Sequence, residues 1–257
     1  MIAKTEAVVL RSMKYRETSR IVSFYTKQFG KISGIVKGAR SPKNAFGSAL
    51  QPMSHVSLVL YKKDGRDLHS ITQCDVLTPF RSLAGELPKM AVGMAMIELV
   101  GQIAHEEEEN VPLFELLVES LSAADASAGD PIACRFRFEV RLAGILGFKP
   151  VFDQCVSCGK GVPDSKAEIR FELERGGPLC SKCRLRHGQT VTISGTSLHF
   201  LAGLNADGRG EGRRRKEPDV ASRTEIDRLL ESFLRKHVSG VRNSNSGRVF
   251  SRLLAES

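Results

Sequence analysis

Four cysteines carry the most specific chemistry in this sequence. They read Cys155-Val-Ser-Cys158-Gly159 and, after 21 intervening residues, Cys180-Ser-Lys-Cys183. Each C-x-x-C pair sets two thiols across a tight turn, so that both sulfurs reach one ion. Two such pairs complete a tetrahedral four-thiolate zinc site. With four protein ligands no position is left for water or substrate, which makes the ion structural. The gap between the pairs is slightly longer than the usual run of about 15–20 residues. A hairpin through Glu168–Leu173, returning at Gly176-Gly177, absorbs the excess. Zinc with four thiolates carries a formal charge of −2, and Lys160, Lys166, Lys182, Arg184 and Arg186 are close enough in sequence to balance it. The same cations are placed for a contact with nucleic acid, so both readings stay open, and His187 is an alternative ligand. Disulfides and a redox centre fit less well. Glu6 interrupts the N-terminus where the apolar core of a secretory leader would lie, and neither pair opens a helix after a strand. Cys74 and Cys134 read as small buried apolar residues.

The second chemistry is phosphate binding. The 257-residue chain has a formal charge of +9, unevenly spread. Residues 1–80 carry 13 Lys/Arg against 5 Asp/Glu, residues 81–150 carry 6 against 11, and the remainder 19 against 13. Basic ends around an acidic middle suggest separate surfaces for different partners, the basic ones facing a polyanion. The cations concentrate in loops: Arg11, Lys14, Arg16 and Arg20 around one connection, Lys37, Arg40 and Lys43 in the next, then Lys62, Lys63 and Arg66. In Lys37-Gly-Ala-Arg40-Ser-Pro-Lys43, Gly38 and Pro42 shape a loop in which three cations converge. Tyr15, Tyr25 and Phe46 are either base-stacking residues or core.

The elements that must position these residues follow from periodicity. Five short β patterns, 6–10, 20–25, 31–36, 55–60 and 68–72, fill the first 80 residues and suit a small closed barrel of the OB-fold type, a common home for single-stranded nucleic acid. From Pro79 the period becomes helical. Met90, Met94, Ile97 and Gly101 share one face of a helix that is either adaptable core or a docking groove. A second helix opens after Asn110 and a third after Asp130, with Cys134, Phe138, Leu142 and Ile145 buried and Gly147 at its end. After the cysteines come a short helix at 197–204, an aperiodic loop at Gly208–Lys216 that either adds phosphate affinity or is only solvated, and a helix capped by Ser222-x-x-Glu225 with Ile226, Leu229, Leu230, Phe233, Leu234 and His237 as its apolar stripe. Val249, Phe250, Leu253 and Leu254 mark a last helix. The expected class is α+β: an OB-fold domain over 1–80, then a helical domain over 81–257 into whose bundle a zinc module, 151–192, is inserted. No apolar run is long enough to span a membrane, and reduced cysteines fit the cytoplasm.

Several segments in this order resemble the RecO family of bacterial recombination and repair proteins. They are Thr5–Arg11 through Tyr15–Ser19, Gly34–Arg40, Leu50-Gln-Pro52, and Glu139–Pro150 running into the four cysteines. The resemblance implies a non-enzymatic recombination mediator at the nucleoid. Such a protein binds single- and double-stranded DNA and anneals complementary strands. With RecR, and in some pathways RecF, it helps load RecA onto strands coated by single-stranded DNA-binding protein. It further implies that Arg11, Lys14, Arg16, Lys37, Arg40 and Lys43 contact phosphates and that Cys155, Cys158, Cys180 and Cys183 hold zinc. The Gly208–Lys216 loop has no counterpart in that pattern. No phosphate-cradling G-x-x-x-x-G-K-[ST] and no H-E-x-x-H occur, so no turnover chemistry is expected. An RNA-binding zinc protein and a protein-docking scaffold are the rival readings.

Overall fold

The structure is a computed structural model and describes residues 1–41, 46–62, 65, 67–162, 167–184, 188–205 and 218–242. The chain forms two compact units, Met1–Ser127 and Ala128–Ser257. In the first, β1 (Ile2–Tyr15), β2 (Ser19–Thr26), β3 (Gly30–Val36), β4 (His55–Tyr61) and β5 (Leu68–Thr78) close into a barrel of order β1-β2-β3-β5-β4, the OB-fold expected from the sequence. Every pairing is antiparallel except β3 with β5, which is parallel. One long strand, β1, pairs with both β2 and β4 and turns the corner at a bulge between Val9 and Arg11. Ala7, Val9, Val22, Phe24, Ile32, Val36, Val56, Leu58, Leu60 and Ile71 fill the interior. Closure needs a small residue in β3, because a Cβ on Gly34 would stand 2.5 Å from the Ile71 side chain.

Three helices, α1 (Arg81–Gly85), α2 (Leu87–Ile103) and α3 (Val111–Ala126), belong to the same compact unit as the barrel. The change of period near residue 80 marks where strands give way to helices; the compact units divide 47 residues later, after Ser127. Val8 and Leu10 point out of the barrel and are buried, Leu10 lying beneath Gly101 of α2. The buried positions of α2 are Val92, Gly93, Met96, Ile97, Val100 and Ile103, while Met90 and Met94 are half-buried, so the expected face is out of phase. The reason is that α2 has only three polar side chains, Lys89, Glu98 and Gln102, with the buried Lys89 half a turn around the helix from Glu98, so periodicity had no consistent polar side to point away from. Asn110 caps α3 by accepting from the Leu113 N–H, with Pro112 in the first turn as expected.

Two of the four glutamates between α2 and α3, together with Glu115 of α3, pair with lysines of the barrel. Glu106 pairs with Lys31 at 3.3 Å, Glu107 with Lys62 at 3.1 Å and with His69 at 3.0 Å, and Glu115 with Lys27 at 3.1 Å. The Lys62 ammonium holds the Glu107 carboxyl below its usual range, against the upward push of partial burial. The Glu107 N–H donates to the Lys31 carbonyl at 2.9 Å. Glu108 packs so closely on the β2–β3 turn that a Cβ on Gly30 would lie 2.0 Å from its carbonyl oxygen.

In the second unit, α4 (Ile132–Ile145) ends in a Schellman arrangement. The Phe148 N–H bonds Ala143 O at 2.8 Å, the Gly147 N–H bonds Gly144 O at 3.1 Å, and Gly147 has a φ of 89°. Its buried positions include Arg135, Phe136, Phe138, Val140 and Leu142; Cys134 and Ile145 are only half-buried. Next come β6 (Glu168–Glu172) and β7 (Gly177–Leu179), the expected hairpin, then β8 (Thr190–Ser194), α5 (Gly195–Asn205) and α6 (Val220–His237). β8, which sequence reading missed, completes a sheet of order β7-β6-β8. Arg135 of α4 meets Asp227 of α6, and Arg223 of α6 meets Asp130 at 2.5 Å. The helices thus fall into two sets, α1–α3 with the barrel and α4–α6 with the cysteine segment, where one bundle was expected. The last expected helix and the Gly208–Lys216 loop lie outside the described residues.

The expected cap of α6 is also corrected. Asp219 is the N-cap, accepting from the Ser222 N–H at 2.8 Å, which frees Glu225 for another task. Glu225 accepts from the Ser194 N–H at 3.0 Å and from the Ser194 and Ser197 hydroxyls at 2.7 and 2.8 Å. Ser194 precedes α5 and accepts from the Ser197 N–H. Glu225 therefore closes a capping box on α5 from a different helix. Partial burial raises its carboxyl, but the bonds from Ser194 and Ser197 outweigh this and the net shift is downward.

Two outcomes follow. Gly30→Ala should lower unfolding stability by at least about 2 kcal/mol in denaturant titration, because φ at Gly30 is 60° and the Glu108 backbone blocks the new methyl. Glu225 has a depressed folded-state pKa, so its contribution is present above the ordinary glutamate value and is lost as pH falls through the lower one. Glu225→Gln should be less stable than the parent at neutral pH, and the gap should close on acidification.

Candidate metal centre and cationic barrel end

The four cysteine sulfurs lie within 4.8 Å of one another, with Cys158 Sγ and Cys180 Sγ 3.6 Å apart. Sulfurs about 2.3 Å from a tetrahedral ion would be separated by roughly 3.8 Å, so the group fits one metal ion. Two turns build it. In the first the Gly159 N–H bonds Cys155 O at 2.8 Å and the Cys155 N–H bonds Lys160 O at 2.7 Å, and Gly159 has the left-handed φ of 72° that the turn requires. In the second the N–H groups of Cys183 and Arg184 both bond Cys180 O. The Cys180 N–H also reaches Cys155 Sγ at 3.3 Å. Burial raises the Cys155 thiol, but backbone N–H groups of Cys180, Ser157 and Cys158 outweigh it and bring the group down to about 6, which favours the ligating thiolate.

This centre is tied to the helices by packing. The Val156 N–H donates to Pro178 O at 3.0 Å, and the Val151 N–H to Gly176 O at 2.8 Å, so the first turn is bound to β7. A Cβ on Gly177 would meet Val156 Cγ1 at 2.0 Å. On the inner face of the sheet Phe171 stacks between Phe152, at 6.0 Å, and Phe233 of α6, at 6.2 Å. His237 joins the stripe as expected, against Phe233 and Phe148, with Nε2 bonded to Leu173 O at 2.7 Å. His187, Lys166 and Arg186 lie outside the described residues.

Of the expected phosphate-binding residues, the structure brings Lys14, Arg16, Lys37 and Arg40 together at one end of the barrel. Arg16 sits in the β1–β2 turn with a φ of 51°, its guanidinium 5.3 Å from the Tyr15 ring. The segment after β3 folds onto that turn: the Arg40 N–H bonds Thr18 O at 3.0 Å and Arg40 Nη1 bonds Arg16 O at 3.1 Å. Lys14 stands opposite Arg20, which in turn pairs with Val36 next to Lys37. Arg11 is apart, four residues down β1 at the bulge. Lys43 lies outside the described residues. Among the described residues none of Arg11, Lys14, Arg16, Arg20, Lys37 and Arg40 has a carboxylate within ion-pairing distance, unlike Lys27, Lys31 and Lys62. Arg20 was grouped with this connection in the sequence but not named as a phosphate contact; its place opposite Lys14 is a matter of register.

The aromatic candidates divide. Tyr25 is 1% exposed, donates to Asn110 O at 3.4 Å and has its hydroxyl pushed up by burial, so it is core. Phe46 is partly buried against the barrel core, and Tyr15, also half-exposed, lies beside Arg16. Cys74 is buried as expected. No helix among the described residues is long and apolar enough to cross a membrane.

A closed OB-fold barrel followed by a helical part built around a four-cysteine centre defines the class. Residues 1–80 match the family model described as recombination protein O N terminal, and residues 84–246 the one described as recombination protein O C terminal. The chain belongs to the RecO family. It is 31% identical to the DNA repair protein RecO of Chloroherpeton thalassium over 99% of this chain and 100% of that one. It is 32% identical to that of Anaeromyxobacter dehalogenans (92% and 91% covered) and 36% identical to that of a Nocardioides species (77% and 83%).

Purified protein should contain one equivalent of bound metal. Cys155→Ser or chelation should release it and lower the thermal midpoint of the Ala128–Ser257 unit, followed by calorimetry, because the Phe152–Phe171–Phe233 stack loses its support.

Proposed function

We propose that this protein is a DNA-binding recombination mediator that works without turnover chemistry in the cytoplasm, at the nucleoid. It binds single- and double-stranded DNA, anneals complementary strands, and with RecR, and RecF where that pathway operates, helps place RecA on strands coated by single-stranded DNA-binding protein. The ion at the four cysteines is zinc, since an all-thiolate tetrahedral set selects zinc among common divalent ions, and its role is structural. The observation that carries the reading is the group of cations at one end of the OB-fold barrel that, among the described residues, have no carboxylate within ion-pairing distance. Family membership and names of relatives support the DNA-repair setting.

The mechanism is electrostatic. Two strands repel through their phosphates, and cations that take up part of that charge lower the repulsion and raise the local strand concentration. Base pairing then supplies the net free energy. Lys14, Arg16, Arg20, Lys37 and Arg40 contact backbone and not base edges, so binding is indifferent to sequence. Tyr15, held beside Arg16, offers one ring for stacking. The docking-scaffold reading rests on the acidic middle and the methionine-rich helix; of the acidic residues there, Glu106, Glu107 and Glu115 are engaged by lysines of the barrel.

The test is annealing, without ATP, of complementary oligonucleotides coated with the cognate single-stranded DNA-binding protein. The parent should accelerate it and Lys37→Glu/Arg40→Glu should not. For naked single strands the slope of log affinity against log salt should shrink by about 0.7 per cation removed. Unchanged DNA affinity in the double variant would refute the barrel-end assignment, and preference for RNA over DNA of one sequence would favour the RNA-binding reading.

A further inference from the structure

Beside the metal centre, wholly within the second unit, lies a cleft of about 930 Å³. Its floor is the outer face of the β7-β6-β8 sheet, where Arg170 stands between its neighbours Leu179 and Thr192. Its walls are the two cysteine turns, which bring Lys160 from one side and Lys182 and Arg184 from the other. Arg170 Nη1 donates to Arg184 O at 3.4 Å, which fixes the floor cation against the wall. All four cations are exposed, and among the described residues none has a carboxylate in ion-pairing distance; Glu168 is the one acidic side chain in the lining. A divalent ion on four thiolates carries −2 and offsets part of this charge. Cys155 is buried, Cys180 reaches the lining and Cys158 is exposed, so the four exposed cations outnumber but do not hide the thiolate charge.

The geometry points to this cleft as a second binding site for a single-stranded polynucleotide. Two of its four cations are guanidinium groups, whose planar fork matches phosphate oxygens, and one of them, Arg170, is exposed on the floor. This rests on the DNA-binding reading and extends it. The barrel end takes one strand and the metal-centre cleft takes another, so one chain holds both partners of an annealing reaction. The metal fixes the two turns that carry three of the four cations, which gives a structural ion a part in strand binding.

The experiment titrates the metal-loaded full chain with a short fluorescent oligothymidylate, reading anisotropy for affinity and native mass spectrometry for stoichiometry. The parent should bind two strands. Arg170→Ala/Arg184→Ala and, independently, Lys160→Ala/Lys182→Ala should weaken the second strand at least about tenfold and slow annealing, with metal content and thermal midpoint unchanged. Lys37→Glu/Arg40→Glu should lose the other strand. Two strands still bound by both cleft variants, or only one by the parent, would overturn the proposal. So would polyglutamate of equal charge displacing the strand from the cleft as well as an unlabelled oligonucleotide does. If the barrel variant binds like the parent while the cleft variants lose a strand, the barrel assignment fails and the cleft stands.

Discussion

Closure of the five-stranded barrel is the constraint on which the first compact unit depends. Antiparallel pairing alone would leave β3 and β5 as two edges, and it is their parallel register, Ser33 opposite Leu68 through Val36 opposite Ile71, that removes them. The register holds only because Gly34 leaves room for the Ile71 side chain. The antiparallel run β1-β2-β3 brings the β1–β2 turn beside the segment after β3, so cations separated by more than 20 residues meet at one end.

Charge is then divided within the unit. The acidic segment between α2 and α3 returns to the barrel and takes up Lys31 and Lys62, Glu115 of α3 takes up Lys27, and Glu107 is also bonded to His69, which is 2% exposed. These pairs are half-exposed and each contributes little stability, but they decide which lysines face solvent alone. What is left over is a directed surface at one end of the barrel. A count of charges along the chain cannot make this distinction.

The second unit solves a different problem. Its three-stranded sheet is too small to bury its own apolar face, so Phe171 leans on Phe152 and on Phe233 of α6, while the four cysteines hold the turns that frame the sheet. Glu225 contributes by capping α5 from α6. The sheet's outer face is left open between the cysteine turns, and that open face carries the second cationic surface.

The sequence by itself determined the parts whose signal is local. Two C-x-x-C pairs named the four cysteines whose sulfurs come together, alternation named all five barrel strands, and Gly147 and Asn110 marked helix ends, because turn geometry, strand period and capping each act within a few residues. Tertiary structure decided whatever depends on a neighbour distant in sequence. It moved the cap of α6 to Asp219 and gave Glu225 to another helix, placed Tyr25 in the core, and paired Glu106 and Glu107 with lysines of the barrel. It also set the face of α2, a mostly apolar helix with no clear phase to read, and added β8, which exists only because β6 pairs with it. Which cations are paired and which are free was decided there as well, since an ion pair depends on a distance in space and the chain order carries only residue type.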